Sequence, residues 1–173
     1  LVSEEWASRS YGVVFDGKGD VDEAATANRR REILEERRRS AGLKQGEAPE
    51  PAPWDAESEG VRVSESVFCQ DGGGELRLRC RCGHVLGPAD RSPKLSAAMA
   101  RYPVQAIGPE VNPHSVNGAR FELREFYCPS CLTRLEVEIA RPDDPVLDDA
   151  CVLPAWLQAQ APAGAGSKNG KRG

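Results

Sequence analysis

The sequence has 173 residues, which is room for one ordinary domain or two small ones. A hydrophobic content of 39% and an aromatic content of 6% are low for a large core, and a net charge of −4 argues mildly against a dedicated nucleic-acid binder.

No apolar run approaches transmembrane length and no signal peptide is recognisable, so we expect a cytoplasmic chain without a membrane partner. Met99 is the only methionine, so we expect a fragment, a processed piece or an unusual start.

Residues 1–42 predict a strand followed by a helix. The apolar run at 11–15 is typical of a short strand, and the glycines after it allow a turn. Asp20 or Asp22 is suited to cap a helix that runs to about Ser40. The apolar face of this charged helix is thin, so we expect the helix to lie on a partner surface.

Residues 43–60 are rich in proline, glutamate and alanine, which predicts a semi-rigid, extended linker. Trp54 either anchors this linker to a neighbour or is a partly covered surface side chain. Alternation of apolar and polar residues predicts a strand over 61–68. A second alternating run leads into Cys80 and predicts that the first cysteine pair ends a hairpin.

The following segment, 87–119, predicts an irregular insert with a short helix over 94–102. Alternation predicts two further strands over 121–127 and 135–139, so both cysteine pairs lie at strand ends. Residues 143–157 are expected to form an extended covering arm. We therefore divide the chain into a tail segment (1–42), a linker (43–60), a metal-binding domain (61–157) and a disordered tail (158–173).

Cysteine spacing is the clearest functional signal, since six cysteines are present. Cys128 and Cys131 have the two-residue spacing of a zinc knuckle, and Cys80 and Cys82 form a tighter pair. The 45 residues between the pairs exceed the roughly 15–20 of a compact ribbon, but a longer loop is only a mild entropic cost. We predict a mainly β fold with a small zinc-ribbon-like domain, in which these four thiolates bind a structural Zn²⁺.

Alternatives to this site stay open. In one alternative, His84 or Cys69 replaces one of the four cysteines as a ligand. In another, no metal is bound and the thiols are buried or oxidised. Cys151 is expected to be an ordinary thiol and His114 a surface histidine. Four thiolates would close the metal shell and make a poor Lewis acid, so we identify no catalytic and no cofactor-binding residue.

The residues around both cysteine pairs resemble the acetone carboxylase gamma subunit, a small zinc subunit that also occurs in acetophenone carboxylase-like enzymes. The resemblance covers residues 61–149. It is carried by LRCRCGHVLG at 78–87, LREFYCPSC at 123–131 and LEVE at 135–138. The tight first cysteine pair is part of that family's pattern. Leu132 stands where the family usually has glycine, and Pro93 where it often has tryptophan.

A second resemblance concerns residues 1–40. The runs YGVVF at 11–15 and VDEAAT at 21–26 resemble the C-terminal tail of hydantoinase B/oxoprolinase proteins, the large subunits of the same carboxylase complexes. The two resemblances imply an accessory zinc-binding subunit or segment of a biotin-independent, ATP-dependent carboxylase. Its role would be structural, with no activity alone.

The same resemblances imply large hydantoinase A/B-like subunits as partners in a hetero-oligomer, with ATP and a divalent metal bound on those partners only. One alternative is an ATP-dependent hydantoinase or oxoprolinase-type amide hydrolase complex. The other is a nucleic-acid-binding zinc ribbon, with Arg77, Arg79 and Arg81 along one strand edge. The overall negative charge argues against this second alternative, so we expect no nucleic-acid partner.

Overall fold

The structure is a computed structural model that describes residues 2–44, 50, 53–71, 74–108, 111–112 and 120–149. Contacts divide the chain into two compact units, one of Leu1–Ala48 with Ala98–Asp143 and one of Pro49–Ala97 with Asp144–Gly173. Within the described ranges, no helix combines the length and the apolar composition needed to cross a membrane.

The described residues form seven strands and six helical segments. The strands are β1 Val61–Arg62, β2 Val67–Asp71, β3 Leu76–Cys80, β4 Val85–Pro88, β5 Ala98–Pro103, β6 Glu122–Tyr127 and β7 Arg134–Ala140. The helices are α1 Glu4–Trp6, a π-helical turn Ala7–Tyr11, α2 Glu23–Ser40, α3 Ala56–Glu59 and two 3₁₀ turns, Pro93–Ser96 and Val104–Ala106. The prediction of a mainly β, zinc-ribbon-like fold is confirmed, since two antiparallel sheets accompany a cluster of four cysteines.

The Pro49–Ala97 unit contains a four-stranded antiparallel sheet in the order β1-β2-β3-β4. The strand predicted over 61–68 is wrong as a single element, because the chain reverses between β1 and β2. The amides of Val63 and Ser64 both donate to the carbonyl of Val67, at 2.9 and 3.0 Å. The alternation in this stretch therefore belongs to two short paired strands and a tight turn. The hairpin that leads into Cys80 is confirmed by the pairing of β2 with β3.

Trp54 is half-buried and packs against the core of this unit. Its ring contacts Phe68 edge-on, with centroids 5.7 Å apart and planes at 86°. The chain beyond it forms α3, so the last part of the predicted linker is helical and packed, not extended. Residues 45–49, 51 and 52 of that linker lie outside the described residues.

The predicted covering arm is described as far as Asp149 and has no regular secondary structure. The amide of Ser92 donates to Oδ1 of Asp148 at 2.6 Å, and Nζ of the buried Lys94 donates to Asp149 at 2.9 Å. These hydrogen bonds hold residues 148 and 149 against the 3₁₀ turn Pro93–Ser96. The remainder of the arm and the predicted disordered tail lie outside the described residues.

The other unit contains a three-stranded antiparallel sheet in the order β5-β6-β7. The helix predicted over 94–102 is wrong. A 3₁₀ turn starts with Pro93 at its first position, and β5 follows from Ala98 and pairs along its whole length with β6. Long-range pairing overrides the helical preference of the alanine-rich run.

The helix α2 is confirmed, with Oδ1 of Asp22 accepting from the amide of Ala25 at 2.9 Å as an N-cap. The strand predicted over 11–15 is wrong, because Tyr11 ends the π-helical turn and only Phe15 forms a bridge, to Val21. Gly12, at φ 62°, permits the change of direction between them.

The helix α2 contacts β5 of its own unit. The inner face of α2 presents Arg29, Ile33 and Arg37 rather than a continuous apolar stripe. The guanidinium of Arg37 lies over the ring of Tyr127, 5.4 Å from its centroid, and donates to the carbonyl of Leu132 at 3.2 Å. The expected partner surface for this charged helix is therefore supplied, in part, by the chain's own sheet.

Candidate metal centre

The first cysteine pair occupies the tight turn between β3 and β4. The amide of Gly83 donates to the carbonyl of Cys80 at 2.8 Å, and the amide of Cys80 donates to the carbonyl of His84 at 2.9 Å. Gly83 has φ 94°, a left-handed conformation that glycine adopts without a Cβ clash. This turn accounts for the short spacing between Cys80 and Cys82.

The second pair occupies the turn between β6 and β7. The amide of Leu132 donates to the carbonyl of Cys128, and the amide of Cys128 donates to the carbonyl of Thr133, both at 2.9 Å. Leu132 has φ 60° although it is not glycine, and its side chain is almost fully buried. The knuckle is therefore built with a leucine in a left-handed conformation that glycine adopts more readily.

The structure brings the four predicted ligands together. The Sγ atoms of Cys80, Cys82, Cys128 and Cys131 all lie within 4.8 Å of one another. Four sulfurs around one zinc ion at about 2.3 Å would be separated by about 3.8 Å, so small side-chain adjustments would complete the tetrahedron. Cys80 and Cys128 are buried, and the other two are half-buried. This set could hold one metal ion.

The alternative ligands are not part of this cluster. Cys69 is buried in β2, where loss of solvation, followed by the charge of Asp71, raises the pKa of its thiol and favours the neutral form. His84 contributes its backbone carbonyl to the first turn, and its side chain is absent from the sulfur cluster. Cys151 and His114 lie outside the described residues.

Sequence reasoning missed Thr133 as a neighbour of the cluster. Its hydroxyl oxygen lies 3.1 Å from Sγ of Cys131, within hydrogen-bonding distance for sulfur. When the cysteine is a thiolate, the hydroxyl donates to the sulfur and stabilises its negative charge. The only signal for this contact in the sequence is a threonine two residues after the last cysteine, which is weak by itself.

A comparison with protein families shows which family the chain belongs to. The family model of the acetone carboxylase gamma subunit matches residues 61–157, more than half of the chain, and includes all four clustered cysteines. The chain belongs to the acetone carboxylase gamma subunit family. No curated protein matched the sequence. The predicted gamma-type resemblance is thereby confirmed, whereas the resemblance of residues 1–40 to a hydantoinase B tail stays a prediction.

Proposed function

We propose that this gamma-family chain is an accessory subunit, or segment, of a biotin-independent, ATP-dependent carboxylase complex and that its role is assembly. The observation that supports this most directly is the cysteine cluster, which lies inside the family-matched region. Membership of the family points to work in a multi-subunit carboxylase. The large partners in this proposal are hydantoinase A/B-like subunits that carry ATP and a divalent metal.

The metal in this proposal is zinc, bound by Cys80, Cys82, Cys128 and Cys131. Four thiolates suit a zinc ion or an iron ion in tetrahedral geometry, and zinc has no redox chemistry of its own. A shell of four protein ligands supplies no position for substrate or water, so the ion would act as a cross-link between two turns. The donor set, together with its burial, supports a structural role.

The metal content of the purified chain tests this assignment. We expect one zinc per chain by elemental analysis, and we expect Cys82→Ser or Cys128→Ser to lose it. The matched control is Cys69→Ser, a buried cysteine outside the cluster, which should keep the metal. Absence of stoichiometric metal in the reduced, intact chain would overturn the site, and stoichiometric iron would keep the site but overturn zinc.

The role in a complex needs a separate experiment. The chain is purified from its native host with its associated subunits, and ATP-dependent turnover is measured for the complex and for the isolated chain. We expect bicarbonate-dependent turnover only in the complex. ATP-dependent turnover by the isolated chain would contradict the accessory role.

An amide hydrolase complex is the second candidate, supported by the resemblance of residues 1–40 to hydantoinase B/oxoprolinase tails. It predicts ATP-dependent ring opening that does not require bicarbonate, so the same assay separates the two. The nucleic-acid-binding alternative gains no support, since Arg77 pairs with Glu75 at 2.7 Å and Arg79 and Arg81 lie over aromatic rings.

A further inference from the structure

A cleft of about 740 Å³ lies in the unit formed by Leu1–Ala48 and Ala98–Asp143, and none of the clustered cysteines lines it. One wall comes from α1, the π-helical turn and α2, and the other from β5, β6, β7 and the 3₁₀ turn after β5. This volume is in the range of small-molecule sites in proteins, about 300–1,000 Å³.

Apolar and aromatic side chains supply both walls. The helical wall contributes Trp6, which is 51% exposed, together with Ile33. The sheet contributes Leu123, Tyr127 and Val137, and Val137 is 42% exposed although it lies mid-strand. Leu123 and Tyr127 are already buried, but a flat apolar body placed between these walls would cover Trp6 and Val137, which are now in water, and this favours binding.

Two of the four arginines in the cleft already have carboxylate partners. Arg29 lies 3.3 Å from Glu36, and Arg134 lies 2.9 Å from Glu125. All four of these residues line the cleft, so their charges cancel in pairs.

The other two arginines, Arg9 and Arg37, leave an excess of positive charge. Among the described residues, neither has a carboxylate partner. Arg9 lies 5.6 Å from the ring centroid of Trp6, and Arg37 lies over Tyr127 and uses one N–H on the Leu132 carbonyl. A guanidinium has five N–H donors, so each retains donors for an anion. The stacked rings restrict both side chains in advance of binding.

We propose that this cleft binds an organic monocarboxylate whose body is apolar and aromatic or similarly flat. The carboxylate pairs with the guanidinium groups of Arg37 and Arg9, where a planar fork matches a carboxylate in two parallel hydrogen bonds. The body lies between Trp6 and the apolar residues of the sheet. This site does not depend on the carboxylase role, and its test involves no partner subunit.

The test uses the full, metal-loaded chain labelled with ¹⁵N and a matched pair of probes, 2-naphthoate and the neutral 2-naphthamide. We expect saturable, one-to-one binding of the acid that shifts the Trp6 indole signal, which Trp6→Phe identifies. The amide should bind at least tenfold more weakly, because a hydrogen-bonded charge pair is lost. Raised salt should weaken binding of the acid only.

Variants separate the charges from the apolar walls. Arg9→Ala and Arg37→Ala should each weaken binding of 2-naphthoate about tenfold or more, with no effect on 2-naphthamide. Arg77→Ala, an arginine outside the cleft lining, is the matched control and should bind as the wild type does. Circular dichroism checks folding, and Arg9 is the decisive variant if Arg37→Ala unfolds α2.

If 2-naphthoate binds, three outcomes would overturn the proposal. They are equal affinity for the acid and the amide, unchanged binding by Arg9→Ala, and saturation that leaves the Trp6 signal unmoved. Failure of the wild-type chain to bind 2-naphthoate at millimolar concentration would also overturn it and would favour a protein segment as the occupant.

Discussion

At the scale of single residues, Leu132 shows two opposing effects at one position. Its φ of 60° costs about 1–2 kcal/mol for a residue with a Cβ. Its side chain is 1% exposed, and removing a buried leucine typically costs about 2–5 kcal/mol. Burial therefore outweighs backbone strain, which explains how leucine is accommodated in a backbone conformation that favours glycine.

This balance predicts the order of stability of the wild type and two variants of Leu132. Leu132→Gly relieves the strain but loses the burial, so we expect it to be less stable than the wild type by about 1–3 kcal/mol. Leu132→Ala keeps the strain as well, so it should be about 1 kcal/mol less stable than the glycine variant. Urea unfolding of the metal-loaded proteins measures all three, and a glycine variant more stable than the wild type would contradict the argument.

Cys69 gives a prediction for alkaline pH. Burial raises the pKa of its thiol above the ordinary 9.0, so the unfolded chain releases this proton at lower pH than the folded chain does. The stabilisation is complete below about pH 9 and is lost as pH rises through the folded pKa. We expect the stability advantage of the wild type over Cys69→Ala to shrink from pH 8 to pH 10.5 in urea unfolding with reductant. A constant difference would contradict it.

At the scale of elements, the sheet β5-β6-β7 contains a buried charge. Arg124 is fully buried in the middle of β6, and its guanidinium contacts Glu122 at 2.7 Å and Glu138 at 3.2 Å. The same guanidinium donates to the backbone carbonyls of Arg141 and Pro142. This network joins two neighbouring strands to the segment that follows β7.

Replacement of Arg124 by methionine would remove the buried cation shared by two mostly buried carboxylates, of which Glu122 keeps only its pair with the half-exposed Arg101. We expect a loss of about 3–5 kcal/mol in the free energy of unfolding at pH 7. Arg101→Met is the control, because Arg101 also pairs with Glu122 but its side chain is 48% exposed. That pair should contribute less than about 1 kcal/mol. Equal losses of unfolding free energy in the two variants would contradict the argument that burial makes the ion pairs of Arg124 more important than that of Arg101.

At the scale of the whole molecule, the cysteine cluster joins two cysteine pairs that have 45 residues between them in the sequence. A bound ion would therefore constrain the unfolded chain and fix both turns at once.

Removal of the metal should destabilise the chain by several kcal/mol. We expect a chelator to lower the midpoint of thermal unfolding strongly, and one equivalent of Zn²⁺, but not Mg²⁺, to restore it. Hydrogen exchange should become faster at the amides of Cys80, Gly83, Cys128 and Leu132. An unchanged midpoint after complete metal removal would show that the cluster does not depend on an ion.

Local sequence patterns were sufficient to predict much of the structure of this protein. The cap of Asp22, the alternation in β3, β6 and β7 and the cysteine spacing are set by residues close in sequence, so α2, the hairpins and the candidate ligands were predictable. Elsewhere neighbouring residues were misleading. The segment 94–102 has a local preference for helix, but its pairing with β6 imposes a strand.

The sequence by itself determined which residues are able to bind a metal, because thiolates in close pairs carry that chemistry wherever they lie. Only the tertiary structure decided that the four sulfurs converge, that Cys69 and His84 stand apart from them, and that charged side chains of α2 and β7 share a cleft. Convergence depends on contacts between residues distant in sequence, and a local pattern contains no information about such contacts.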